Sequence, residues 1–224
     1  MNSQSEELQK TSMKHPYLAN STAELIEEVT SLIPKGYLFY VCGPIKEGEA
    51  PEPTDEEVLQ GIEGGKQQIP ARKNRAQMRY LRLDRFCVLM ATKGVRPFLP
   101  EEEFLDIREY PVPCDGYYVS YRRTRDGKHG TLVELAPAYL ARMTEKYLAC
   151  AVLTSAEILE GYIRDFNCVP IPLVEKQIGA IVEAVNHKRR TAGLPLLRRT
   201  AVGLKETEGR SLLQGASKNG RNRK

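Results

Sequence analysis

Arg72, Arg75, Arg79 and Arg82 follow one another at spacings of three, four and three residues. On a helix, with about 100° of rotation and about 1.5 Å of rise per residue, this spacing gathers four guanidinium groups into an arc of roughly 80° over roughly 15 Å. Guanidinium stays charged and presents a rigid fork of donors that matches phosphate oxygens. Such a row predicts contact with the phosphate backbone of a nucleic acid rather than with a small ligand. No acidic residue stands four positions beyond any of the four arginines, which removes the usual intrahelical ion-pair explanation.

Two further basic groups point the same way. In the run from Tyr117 to Arg123, Tyr117, Val119, Tyr121 and Arg123 alternate with Tyr118, Ser120 and Arg122, and Arg125 and Lys128 follow. If the tyrosine face is exposed beside Arg122 and Arg123, the strand becomes a stacking platform for unpaired bases. The alternative is that these tyrosines pack under helices, as paired aromatics in strands usually do. The last group is His187-Lys188-Arg189-Arg190, continued by Arg198-Arg199 and by a C-terminus ending in Lys218, Arg221, Arg223 and Lys224. Basic tails of this kind add nonspecific affinity for nucleic acid.

The net charge of +4 conceals strong segregation. Residues 1–63 carry 4 Lys/Arg against 12 Asp/Glu, and residues 66–96 carry 9 against 1. Residues 97–187 carry 9 against 14, and residues 188–224 carry 11 against 2. Clustered cations raise the local potential well beyond what the net charge implies, which suggests a polyanionic partner. A plainer possibility is that the acidic N-terminal block lies on the arginine segment and neutralises it.

Catalytic patterns are weaker. Asp115 and Glu134 fall at the entry and return of one strand pair, where a metal-dependent nuclease of a mobile-element or replication type could use them, yet Ala136 stands where such sites carry lysine. Glu101, Glu102, Glu103 and Asp106 fit the start of a helix, where negative charge is favoured. A tyrosine nucleophile, Tyr139 or Tyr147, would need a histidine pair to hold a metal, but His15, His129 and His187 are far apart in sequence. There is no G-x-x-x-x-G-K-[ST], G-x-G-x-x-G or G-x-S-x-G. The five cysteines, Cys42, Cys87, Cys114, Cys150 and Cys168, include no C-x-x-C pair and read as reduced core residues. No cofactor and no metal site is expected, and no apolar run of about 18 residues predicts a membrane span.

The elements that would position these groups follow from periodicity and punctuation. Ser21 with Glu24 resembles a capping box, and Leu25, Ile26, Val29, Leu32 and Ile33 repeat at helical spacing up to Pro34. Tyr37–Cys42 reads as a strand, residues 43–53 as a loop, and Thr54 with Glu57 as the start of a short helix broken by Gly64-Gly65. Pro70 then opens the arginine helix, which is expected to run to about Leu83. Phe86–Ala91 is a central strand, and residues 116–123 and 131–135 form an antiparallel hairpin turning at Asp126-Gly127. Three helices follow, opening near Pro137, Thr154 and Pro172, the last stopping at Gly193.

The layout predicts an α+β fold, with a small antiparallel or mixed β-sheet, helices packed on one face and a helical C-terminal half. Residues 1–20 are expected to be a flexible arm, 21–204 a single domain and 205–224 a basic disordered tail. The functional expectation is a cytoplasmic protein that binds DNA or RNA through the arginine-striped helix and basic C-terminus, with no membrane association. The alternatives are the Asp115/Glu134 nuclease and a structural subunit docking an acidic surface of a protein complex partner.

Overall fold

The computed structural model describes residues 17–68, 74–96, 103–123, 127–166 and 171–203. In chain order the elements are β1 (Leu18–Ala19), α1 (Thr22–Leu32), β2 (Phe39–Pro44), α2 (Pro51–Gln68), β3 (Met78–Leu83), β4 (Phe86–Ala91), β5 (Leu105–Asp106), β6 (Val112–Cys114), β7 (Tyr117–Arg123), β8 (His129–Leu135), α3 (Pro137–Cys150), α4 (Ala156–Phe166) and α5 (Pro172–Thr191). The fold is α+β, with two sheets rather than one. The larger has strand order β1-β3-β4-β2-β5, with β1 parallel to β3 and the other pairs antiparallel. The smaller is the antiparallel set β6-β7-β8.

The chain divides into two compact units, residues 1–145 with 168–177 and residues 146–167 with 178–224, and the division falls inside α3 and α5. Both sheets belong to the first unit. Leu18 and Ala19, from the expected N-terminal arm, extend the larger sheet by pairing with Arg82 and Leu83. Most of that arm and all of the expected basic tail lie outside the described residues.

Helix α1 forms where its signals predict. The Ser21 hydroxyl accepts from the Glu24 N–H at 3.2 Å, while the Glu24 carboxylate accepts from the Asn20 backbone N–H at 2.8 Å. That is a capping box closed one residue early. Leu25, Ile26, Val29 and Leu32 are buried along its inner face, and α1 runs beside β3, β6 and β7.

Helix α2 departs from expectation at both ends. It begins at Pro51 and continues through Gly64 and Gly65. With Gly61 the helix holds three internal glycines, which cost about 1 kcal/mol each relative to alanine. That cost is outweighed by Val58, Leu59 and Ile62, which pack on Tyr80, Leu89 and Ala91 of the larger sheet. The opposite face of the sheet carries Leu81, Val88 and Met90, also buried. Central strand β4 is therefore covered on both sides, which is why its sequence is an uninterrupted apolar run.

The expected arginine helix is not there. Residues 78–83 are strand β3, joined to β4 through Asp84 and Arg85 with Leu83 paired to Phe86. Asp84 takes the left-handed conformation, φ 51°, that such a tight hairpin requires. Apolar side chains on both strand faces, Tyr80 on one and Leu81 on the other, make the segment a better sheet member than an amphipathic helix. The opening of the expected helix, residues 69–73, lies outside the described residues.

Candidate nucleic-acid interface

Strand geometry disperses the arginines that a helix would have aligned. Side chains alternate between faces at each step along a strand, so Arg79 and Arg82, three apart, point to opposite sides of the sheet. Arg79 lies opposite Met90 and is partly buried. Arg75, exposed, sits before β3 in an isolated parallel bridge to Val95. Arg72 lies outside the described residues.

Arg82 is turned inward, contrary to the sequence expectation. It is 9% exposed and clasps Asp55 of α2, itself 1% exposed. Its Nε donates to both carboxylate oxygens at 2.8 and 2.9 Å, Nη2 approaches Oδ2 at 2.8 Å, and Nη1 donates to the Asp84 carbonyl at 2.7 Å. The Tyr80 hydroxyl donates to Asp55 Oδ1 at 2.7 Å. Burial, followed by the bond to Asp55, pushes the Tyr80 hydroxyl far above its ordinary range. This constellation ties α2 to the sheet. The acidic N-terminal block neutralises part of the arginine segment at this buried pair.

The C-terminal cluster divides in the same way. Arg189 is 2% exposed, with Nη1 donating to the carbonyls of Ala151 and Thr154 at 2.6 and 2.8 Å and Nε to that of Pro195 at 2.6 Å. It holds the turn after α3 and the segment after α5, so its assignment to a surface contact is corrected. Lys188 and Arg190 are exposed, and Lys188 Nζ donates to the Leu148 carbonyl at 3.0 Å.

The hairpin keeps its basic groups outside. β7 and β8 pair from Tyr117↔Leu135 to Arg123↔His129. β6 pairs with Tyr117, Tyr118 and Val119, and the Tyr121 N–H donates to the Ile107 carbonyl at 3.4 Å, so the hairpin stands as a two-stranded ribbon only from the Arg122↔Gly130 pair outward. Arg122, Arg123, Lys128 and His129 on this ribbon are exposed. Arg122 approaches Glu134 at 3.7 Å, and Arg123 Nε donates to the Gly127 carbonyl at 2.9 Å. The rings of Tyr121 and His129 lie 5.4 Å apart. Arg125 lies outside the described residues.

The tyrosines do not form an open face. Tyr117 is buried with Val119, Val133 and Leu135 on the inner side. Tyr118 lies between Pro113 and Glu134 on the other side and is partly buried, next to Ser120, which is 1% exposed.

The acidic pair proposed for catalysis is engaged locally. Asp115, at φ 42° in the β6–β7 turn, accepts from the Thr22 hydroxyl at 2.7 Å, and Glu134 faces Arg122. Among the described residues no group of three or more His, Cys, Asp or Glu side chains is placed to hold a metal ion. Asp106 is bound by Arg108, which holds its carboxyl below the usual range. Burial pushes the Cys42 thiol up to about 11 and the Cys114 thiol up to about 12, which suits inert core residues. Among the described residues no helix is long and apolar enough to cross a membrane.

Two features had no sequence signal. Asp55 is one of many acids in its block, and nothing local marks it as the partner of Arg82. Arg96, in turn, lies between the rings of Phe39 and Phe104, 4.5 Å from each centroid, beside a cavity of about 470 Å³ that also meets Asn74, Lys93 and Gly94. No protein-family model, curated protein or solved structure matches the chain.

Proposed function

We propose that the chain is a nucleic-acid-binding protein whose phosphate contacts come from the outer β7–β8 hairpin rather than from the segment around Arg82. The observation that carries this reading is the exposure of Arg122, Arg123, Lys128 and His129 together on one short ribbon. The bonds that Arg122 and Arg123 make within the hairpin are exposed ones, worth about 0–1 kcal/mol each. A phosphate can therefore replace the Glu134 carboxylate at little cost. Clustered cations of this kind bind without reading sequence, and their affinity falls steeply with salt as counterions are released. Lys188 and Arg190, exposed at the end of α5, are a secondary basic group on the other unit.

Gel-shift titration against single- and double-stranded DNA and RNA at low and high salt tests the reading. Wild type shifts at least one polymer in a salt-sensitive way, and Arg122→Ala/Arg123→Ala/Lys128→Ala loses most of that shift. Absence of any salt-sensitive shift removes the reading. Mg²⁺-dependent cutting that disappears in Glu134→Ala would put the acidic-pair nuclease in its place.

A further inference from the structure

The geometry points to a second site, separate from the hairpin: the cavity beside Arg96 takes a phosphate monoester, the chemistry of a nucleoside monophosphate. Its lining comes from Phe39 of β2, Asn74 ahead of β3, the stretch from Lys93 to Arg96 after β4, and Phe104. All of these belong to the first compact unit.

The charge of the lining is of one sign. It holds two cations, Lys93 and Arg96, and no carboxylate among the described residues. Glu103 and Asp106 flank Phe104 in sequence, but neither lines the cavity, and Asp106 accepts from Arg108 Nε at 2.8 Å. Cations gathered in a concave surface focus their field on whatever enters it. Arg96 is also fixed in place, since its guanidinium carbon lies 4.5 Å from the centroid of each of two rings, Phe39 and Phe104. A charge held by two cation–π contacts needs little further ordering when an anion arrives.

The backbone is braced where the other polar groups are mounted. The Val95 N–H donates to the Asn74 carbonyl at 2.8 Å, and the Ala76 N–H donates to the Val95 carbonyl at 3.0 Å. Gly94, at φ 144°, presses so closely on this segment that a Cβ would lie 2.5 Å from the Asn74 carbonyl oxygen. Only glycine fits such an approach. The brace brings the Asn74 amide and the Lys93 ammonium, both on exposed residues, to the same cavity as Arg96.

Shape selects the kind of phosphate. A monoester carries close to two negative charges at neutral pH and three acceptor oxygens, and it is attached to the rest of its molecule on one side only. It can enter a cavity that a phosphodiester, flanked by chain on both sides, cannot. The volume of about 470 Å³ falls within the range of small-molecule pockets, about 300–1,000 Å³. Room therefore remains beyond the phosphate for an attached group against Val95 and the two phenylalanines. A free mononucleotide and the phosphorylated end of a strand share this chemistry.

Isothermal titration calorimetry of the full chain with adenosine monophosphate and with adenosine tests the assignment. The monophosphate binds and the nucleoside binds at least about tenfold more weakly, while Lys93→Ala, a change at an exposed side chain, weakens the monophosphate about tenfold through loss of a charge-assisted bond. Short oligonucleotides with and without a 5′-phosphate, titrated into Arg122→Ala/Arg123→Ala/Lys128→Ala, identify the source. Binding that requires the 5′-phosphate supports the site with a strand end as ligand, and binding of the mononucleotide alone supports it with a free nucleotide. Failure of both phosphorylated ligands to bind at millimolar concentration, equal binding of adenosine, or affinity unchanged by Lys93→Ala overturns the inference. None of these results bears on the hairpin, whose salt-sensitive polymer binding is measured with Lys93 in place.

Discussion

Exchanging Arg82 for methionine tests whether this arginine belongs to the core or to a binding surface. Asp55 and Arg82 are 1% and 9% exposed, and three guanidinium–carboxylate contacts of 2.8 to 2.9 Å join them. Arg82→Met keeps most of the side-chain volume but leaves a buried carboxylate without its guanidinium partner, facing only tyrosine hydroxyls such as that of Tyr80. Removing one partner of such a pair costs about 3–5 kcal/mol, whereas replacing both by apolar groups of similar size is close to neutral. Arg82→Met and Asp55→Leu are each expected to lose that amount, equivalent to a fall of roughly 6–20 °C in melting temperature for a unit of this size. The double variant recovers most of it. Chemical denaturation followed by circular dichroism measures all four corners of the cycle. A loss below about 1 kcal/mol for Arg82→Met, the scale of an exposed pair, or simple additivity in the double variant, refutes the assignment of Arg82 to the core.

Three further outcomes follow from other parts of the molecule. Glu134→Gln frees Arg122 from its 3.7 Å neighbour and, on the proposed function, is expected to tighten nucleic-acid binding about two- to fivefold, the equivalent of an exposed ion pair, as read by anisotropy. Arg189→Ala removes the donor shared by three carbonyls and should destabilise the C-terminal unit by about 1.5–3 kcal/mol in denaturant titration, while Arg190→Ala changes stability little. Hydrogen bonding to Arg198 holds the Glu160 carboxyl below its ordinary range. The folded state therefore binds this proton less readily than the unfolded chain, and the resulting stability is present at neutral pH and lost as pH falls below the ordinary carboxylate range. Hydrogen exchange at the Arg198 amide, which donates to Glu160 Oε1 at 2.7 Å, should accelerate over that interval relative to the trend of its neighbours, and Glu160→Gln should abolish this dependence.

What could be read in the sequence depended on how local each signal was. Helix α1 was legible because its cap and its apolar stripe lie within a few residues of each other. β4 was legible because six consecutive apolar residues, Phe86 to Ala91, bounded by turn residues fit a short strand covered on both faces. The hairpin was legible through its alternation, and it holds two of the candidate interface residues that remain exposed, Arg122 and Arg123. The arginine segment misled because Arg75, Arg79 and Arg82 satisfy a helical period while Met78, Tyr80, Leu81 and Leu83 equally satisfy a strand. What decides between them is non-local: β1 and β4 pair on either side of β3, and Asp55, 27 positions away, receives Arg82. The short strands β1, β5 and β6 are two or three residues each, too brief to carry any periodicity, so none of the three shows in the sequence.

The salt dependence of binding to whichever nucleic acid the chain shifts, compared between Arg122→Ala/Arg123→Ala and Arg79→Ala, tests the proposed function most directly. The hairpin variant is expected to flatten the log–log slope by about 2, while Arg79→Ala leaves it near that of wild type. An unchanged slope in the hairpin variant, or the larger loss in Arg79→Ala, would contradict the assignment of phosphate contact to the β7–β8 ribbon.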